Sequence, residues 1–96
     1  MAHAVAPDLA STIDHYLDYL AAEWGGIAEV VAEWATWDER EQLDFVLEWP
    51  IREDRLRQVQ HWVADGELTD RQRRALSDLE RLIAGWRPAL EQLLAE

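Results

Sequence analysis

The sequence predicts an all-α protein, a compact bundle of four to six helices that ends in a C-terminal antiparallel helical hairpin. Apolar residues recur at spacings of three and four along most of the chain, which is the period of an amphipathic helix. Helix start and stop signals separate these stretches, and no segment shows the alternation typical of a strand. With 96 residues, 49% of them hydrophobic and 30% charged, we expect one domain over residues 1–96, with residues 1–6 disordered.

The first apolar stripe starts just after Pro7, a residue suited to the first turn of a helix. Gly25 and Gly26 interrupt the stripe, so it predicts either one kinked helix or two helices joined by a turn. The residues of the stripe are Leu9, Ile13, Tyr16, Leu20, Trp24, Ile27, Val31 and Trp34.

The next helix is predicted to start at a capping box formed by Thr36 and Glu39. Pro50 is expected to stop or kink this helix at about Trp49, because proline lacks the backbone N–H. The apolar residues between these signals cover roughly 200° of the helix circumference, which is more than one flat core can bury. They are Leu43, Phe45, Val46, Leu47 and Trp49.

The C-terminal part predicts two helices joined by a short turn. From about Arg52 to Asp65 the apolar stripe is narrow, and Gly66 is a typical residue after a helix end. Thr69 and Gln72 form a second capping box, so the flanking helices are expected to be antiparallel neighbours. The narrow stripe contains Leu56, Val59 and Val63, with Trp62 beside it; the last segment carries a heptad seam of Leu76, Leu79, Ile83, Trp86, Leu90 and Leu93.

The charge of the chain favours a basic partner. Twenty acids against nine arginines give a net charge of −11, and all nine arginines follow residue 39. An acidic surface repels nucleic acid and anionic lipid and attracts a basic protein surface. The absence of cysteine, of a signal peptide and of a long apolar run favours a cytoplasmic protein. The absence of Lys and Asn beside abundant Arg suggests a GC-rich bacterial genome.

Residue patterns that carry catalysis or hold a cofactor were not found. His15 and His61 lack the further ligands that a zinc site requires, so we expect no metal. No phosphate-binding loop, dinucleotide fingerprint or nucleophile motif is present. The sequence therefore predicts no enzyme, no catalytic residues and no cofactor.

A possible DNA-binding signal lies after the last turn, where three arginines follow Thr69 as in a helix-turn-helix. Nearby acids are placed to neutralise this cluster by pairs such as Asp70 with Arg74, Arg74 with Asp78 and Glu67 with Arg71. Nucleic-acid binding is therefore the weaker interpretation. The three arginines are Arg71, Arg73 and Arg74.

These observations favour a small acidic helical module that binds a basic protein, such as an antitoxin-like, immunity-like or adaptor subunit. Tryptophan, with six copies, is enriched at binding hot spots. One alternative is a structural homodimer that completes a shared core of Trp and Leu side chains. A further alternative is a DNA mimic or a DNA-binding regulator.

Two groups of residues are the candidate partner-binding sites. The first is an acidic ridge opposite the first apolar stripe, and the second is Trp37 with the acids that share its helix arc. Trp37 is either an exposed anchor on which a partner arginine stacks or a cover for the core, whereas Trp34 and Trp49 are expected to be buried. The ridge comprises Asp14, Asp18, Glu29 and Glu33; the second group comprises Trp37, Glu41, Asp44 and Glu48.

Overall fold

The computed structural model describes residues 8–95 and is all-helical, with 89% of residues in helix and no strand within that range. The all-α prediction is confirmed. Three helices are long, so a bundle of four to six helices is not confirmed. The predictions for residues 1–6 and Pro7 lie outside the described residues. The elements are α1 Leu9–Gly25, α2 Ile27–Glu33, a 3-10 turn Trp34–Thr36, α3 Glu39–Ala64 and α4 Asp70–Leu94.

The first apolar stripe is divided between α1 and α2. Asp8 caps α1 by accepting a hydrogen bond from the Ser11 amide at 2.7 Å, which satisfies a backbone donor that a helix start leaves free. The Gly26 amide turns back to the Ala22 and Glu23 carbonyls and ends the helix. Of the two possibilities that the glycine pair left open, the structure therefore has two helices.

The start of α3 differs from the prediction. Asp38, not Thr36, is the N-cap, and its carboxylate accepts from the Glu41 amide at 2.9 Å. Thr36 belongs to the preceding 3-10 turn, where its hydroxyl donates to the Glu33 carbonyl at 2.6 Å. The predicted capping box is wrong because this hydroxyl is already used by the turn before it, a local bond that competes with capping.

Pro50 was expected to stop or kink the helix, and the stop is wrong, because α3 continues through it as one helix of 26 residues. Pro50 is exposed, while Trp49 and Leu56 on either side of it are buried in the common core. Arg52 adds a side-chain bond from Nη1 to the Glu48 carbonyl at 2.9 Å. Burial on both sides of the proline outweighs the backbone hydrogen bond that it removes.

The turn between α3 and α4 agrees with the sequence. Gly66 has a φ of 74°, a conformation that glycine adopts without steric cost. Its amide bonds to the Val63 carbonyl and the Glu67 amide to the Trp62 carbonyl, which is the Schellman motif. The predicted capping box of Thr69 and Gln72 is present at the start of α4.

The C-terminal hairpin is not confirmed, because α1 is the principal neighbour of both α3 and α4, and α3 and α4 are not among the closely packed pairs. The buried side chains of both helices join α1 in one core. Val63, predicted to belong to the α3 stripe, is 37% exposed. The buried apolar residues that α1, α3 and α4 contribute to this core are Ile13, Leu17, Leu20, Trp24, Trp49, Leu56, Val59, Leu76, Leu79, Ile83 and Leu90.

The arrangement is long and thin, with principal extents of 52 × 28 × 18 Å. Its radius of gyration is 15.8 Å, compared with about 12.5 Å for a compact domain of this length. A thin arrangement leaves much helix surface without a partner in the chain. Within residues 8–95, no helix combines the length and the apolar character needed to cross a bilayer.

Candidate partner-binding face on α3

The first half of α3 exposes a row of large apolar side chains, which we call the α3 apolar face. Leu43 is 54% exposed, Leu47 66% and Ile51 50%. Their spacing of four residues aligns them along one side of the helix, over about 12 Å at 1.5 Å per residue. Single exposed leucines are ordinary, but contiguous apolar surface is typical of an interaction site.

The opposite side of the same helix segment is held by packed aromatic rings. The Phe45 and Trp49 centroids are 5.5 Å apart, and Trp49 lies edge-on to Trp24 of α1 at 5.1 Å. Trp34 is 5.7 Å from Phe45. Trp34 and Trp49 are buried, as the sequence predicted. The segment is therefore anchored through its inner side, and the α3 apolar face takes no part in that packing.

Trp37 lies just before the Asp38 cap and not in the first turn of α3. It is half-buried, with its ring 5.6 Å from Trp34 and 5.9 Å from Phe45. In this position the ring covers the edge of the aromatic packing. Of the two positions that the sequence allowed for Trp37, this is the one that covers the core and not the fully exposed one. Its role in partner binding stays a prediction.

Three predicted site acids form an acidic border beside the α3 apolar face. Glu41, Asp44 and Glu48 are all exposed. At about 100° per residue, Asp44 and Glu48 lie roughly 20° and 60° beyond Ile51 around the helix. The structure thus places an apolar row and a row of carboxylates side by side, an arrangement that suits a partner with neighbouring apolar and basic groups.

An open cavity of about 230 Å³ adjoins the other edge of the α3 apolar face. Leu43 and Val46 of α3 line it, as do Gln42 and Trp34, whose carbonyl accepts from Gln42 Nε2 at 2.8 Å. Trp34 supplies aromatic wall and Glu39 a carboxylate. A cavity with apolar walls and few polar groups suits an inserted side chain.

Ion pairs fix the middle of α3 to the neighbouring helices. Glu53 accepts from Arg87 of α4 at 3.0 and 3.2 Å and from the Trp49 indole at 2.8 Å. Burial by itself raises the pKa of Glu53, but these hydrogen bonds outweigh burial and the pKa lies below its ordinary value. Arg52 pairs with Glu23 of α1 at 2.6 Å. These bonds hold α3 from its inner side and leave the acidic border free.

The predicted acidic ridge is not one uniform surface. Asp14 accepts from Gln72 at 3.0 Å and from Arg71 at 3.1 Å, and the Gln72 hydrogen bond leads the causes that lower the pKa of Asp14. The other members, Asp18, Glu29 and Glu33, are exposed, and the break at Gly26 separates Asp18 from the last two. Asp14 therefore connects α1 to α4, a role that the helix wheel did not predict.

Two of the three arginines near the start of α4 are paired, though differently from the prediction. Arg71 reaches Asp14 of α1 instead of Glu67, and Arg73 pairs with Asp70 three residues before it. Asp70 and Asp78, the predicted partners of Arg74, thus pair with Arg73 and Arg81 instead. These pairs reduce the positive field of the cluster. In residues 8–95, no three His, Asp or Glu side chains are close enough to hold a metal ion.

The candidate site residues named from the sequence did not include the α3 apolar face itself. Two signals pointed to it: the 200° apolar arc that exceeded one core, and the four-residue spacing from Leu47 to Ile51. The second signal was not recognised, because Pro50 was expected to stop or kink the helix before Ile51. Leu43 and Leu47 belong to the uncovered part of that arc, and Ile51 extends it.

No family model, no curated protein and no solved structure matches this chain.

Proposed function

We propose that this chain is a protein-interaction module that binds a basic protein partner through the α3 apolar face and its acidic border. The observation that carries the proposal is the row of Leu43, Leu47 and Ile51, each at least 50% exposed on a helix whose inner side is packed. A partner that covered this row would bury the remaining exposed half to two thirds of three aliphatic side chains, and therefore gain about that share of the roughly 1.5–3 kcal/mol that full burial of one such side chain contributes. No catalytic role is assigned to the chain.

Charge favours a basic partner over a second copy of the chain. Residues 39–51 hold four acids and a single arginine, Arg40. Two copies that met through the α3 apolar face would bring these acidic segments together, and like charges in close juxtaposition oppose association. A basic surface pairs with the same carboxylates and is drawn to a chain with a net charge of −11. The exposed Asp18, Glu29 and Glu33 contribute to this attraction at longer range.

A selection of displayed random peptides tests the proposal while leaving the sequence of the partner open. Peptides of roughly 16 residues, long enough to run past the 12 Å row in a helical conformation, are selected against the immobilised chain. We expect enrichment of peptides that combine Arg or Lys with Leu, Ile or Phe. Binding of the selected peptides should be lost in Leu47→Asp, which places a charge in the centre of the row.

Val63→Asp is the matched control, because Val63 is also an exposed aliphatic on α3 but lies away from the row. Peptides whose binding falls equally in both variants, or that are enriched without basic residues, would contradict the proposal. Native mass spectrometry of the chain alone tests the homodimer alternative. A dimer that dissociates in Leu47→Asp would show that the α3 apolar face binds a second copy, and would contradict the proposal of a basic partner.

A further inference from the structure

We infer that the partner presents an amphipathic helix to the α3 apolar face, with its basic residues along one flank and an apolar side chain directed into the cavity beside Trp34. This inference rests on the proposed function. It specifies the secondary structure of the partner, the side that carries its charge and the position of its anchor.

The backbone of the face excludes recognition by strand addition. That mode requires a free sheet edge whose amides and carbonyls bond to the incoming chain. Residues 39–51 lie inside one α-helix, where backbone groups bond within the helix. The partner must therefore be recognised through side chains.

The side chains of the face favour a helix over a polyproline segment. Grooves that bind proline-rich segments are lined by exposed aromatic rings, but the row itself is aliphatic and the neighbouring rings of Trp34, Phe45 and Trp49 are buried or half-buried. Leu43, Leu47 and Ile51 form a ridge of the four-residue type, and such ridges pack into the grooves of another helix. The 12 Å row matches about two turns of a partner helix.

The two edges of the row differ, and this difference predicts on which side of the partner helix its basic residues lie. Asp44 and Glu48 border one edge, and the cavity lined by Val46 and Trp34 borders the other. A docked helix thus meets Asp44 and Glu48 along one flank, and along the other a recess lined by Trp34, Leu43 and Val46 together with Glu39 and Gln42. Its Arg or Lys residues are placed along the first flank, where two carboxylates adjoin the row, and one long apolar residue on the second.

Three synthetic peptides of equal length test the inference, and the first two have the same composition. One places four leucines at spacings of four, three and four with arginines along one flank, the second alternates leucine and arginine as in a strand, and the third repeats the first with a central proline. Binding is followed by isothermal titration, and helix gain by circular dichroism. We expect the first peptide to gain helix on binding and to bind at least about tenfold more tightly than the others, because proline disrupts a helix interior.

Variants of the chain locate the contacts. Val46→Trp, which fills the cavity, should weaken the first peptide by roughly tenfold, and the paired change of Asp44 and Glu48 to Asn and Gln should weaken it and reduce its salt dependence. The exposed pair Asp65 and Glu67, at the turn between α3 and α4, changed in the same way, is the control for lost net charge.

The outcomes separate the inference from the proposed function. If the strand-patterned peptide binds as tightly as the first and Leu47→Asp abolishes both, the helical partner is wrong and the interaction face stands. If binding of the helical peptide is insensitive to Leu47→Asp, or is absent at millimolar peptide, the helical partner and the basic-partner function both fail.

Discussion

The first half of α3 and the whole of α4 use their apolar residues in opposite ways. In α4 the heptad positions Leu76, Leu79, Ile83, Leu90 and Leu93 are all buried, and Trp86 is half-buried. In residues 39–51 of α3, Trp49 is buried while Leu43, Leu47 and Ile51 are exposed. The chain thus covers nearly all of one narrow apolar stripe and leaves half of a wide one open. The two helices differ in the width of the apolar arc and not in apolar content. A narrow arc, as in α4, is buried in the core, whereas the wide arc of α3 also leaves apolar side chains on the surface.

The largest expected effect comes from comparing the stability of Ile83→Ala in α4 with that of Leu47→Ala in α3. Ile83 is 6% exposed, so its truncation should reduce the free energy of unfolding by about 2–5 kcal/mol. Leu47 is 66% exposed, and its truncation should cost less than about 0.5 kcal/mol. Urea unfolding measures both. A large loss in Leu47→Ala would show that the row is covered in solution.

The polar contact between α4 and α1 should have the next largest effect. Gln72 is 1% exposed and bonds to the Thr69 amide, the Ala10 carbonyl and Asp14. Gln72→Ala removes all three hydrogen bonds and leaves the Thr69 amide without its partner, whereas Asp14 keeps Arg71; the loss should cost about 1–3 kcal/mol. Gln92→Ala, at an exposed position of the same helix, is the control and should be neutral in thermal melts. Equal melting temperatures for the two variants would mean that this contact adds nothing to α4.

Trp37→Ala tests whether the Trp37 ring stabilises the aromatic packing at the start of α3. Trp37 is half-buried and meets two rings, and such aromatic pairs contribute about 0.5–1.5 kcal/mol each. We expect a loss of about 1–2 kcal/mol in denaturant melts, with most of it recovered in Trp37→Phe. Wild-type stability together with weakened binding of basic peptides would instead assign Trp37 to the partner site as its anchor.

The smallest expected effect belongs to Glu53, which joins α3 to α4 through Arg87. Because its pKa is lower in the folded protein than its ordinary value of 4.5, the carboxylate stabilises the fold above that pH and loses this effect as pH falls through the folded pKa. Glu53→Gln should cost on the order of 1 kcal/mol at neutral pH. The difference from wild type should shrink below about pH 4.5.

Glu48→Gln supplies the control, since Glu48 is an exposed acid of the same helix and its substitution should leave the unfolding curve nearly unchanged at every pH. A Glu53→Gln deficit that stays constant down to pH 3 would show that the Glu53 charge does not contribute to the contact with α4.

Much of the fold was predictable because its signals are local. The Thr69 cap, the Gly66 turn and the heptad seam of α4 each depend on residues within a few positions of one another, and all three are confirmed. The capping box at Thr36 and the helix stop at Pro50 failed for different reasons. Thr36 is used by the 3-10 turn before it, and burial of Trp49 and Leu56 carries α3 through the proline.

The candidate site was predictable only in part. Asp44 and Glu48 were named as candidates from their helix arc, and the structure places them beside an exposed apolar row. Leu43, Leu47 and Ile51 were not named as site candidates, because an apolar residue on a wide arc faces either the core or solvent. The sequence pattern sets the width of the arc but not the side from which a neighbouring helix approaches.

The sequence by itself determined the helical class, the acidic charge and the existence of an α3 surface too wide for one core. Only the tertiary structure decided which part of that surface stays open, that α1 is the principal neighbour of both α3 and α4, and that Asp14 bonds to Gln72 and Arg71. The physical reason is the separation along the chain of the residues that interact. Helix period, caps and charge follow from residues a few positions apart, whereas burial of one helix side depends on partners such as Arg71, which is 57 residues from Asp14.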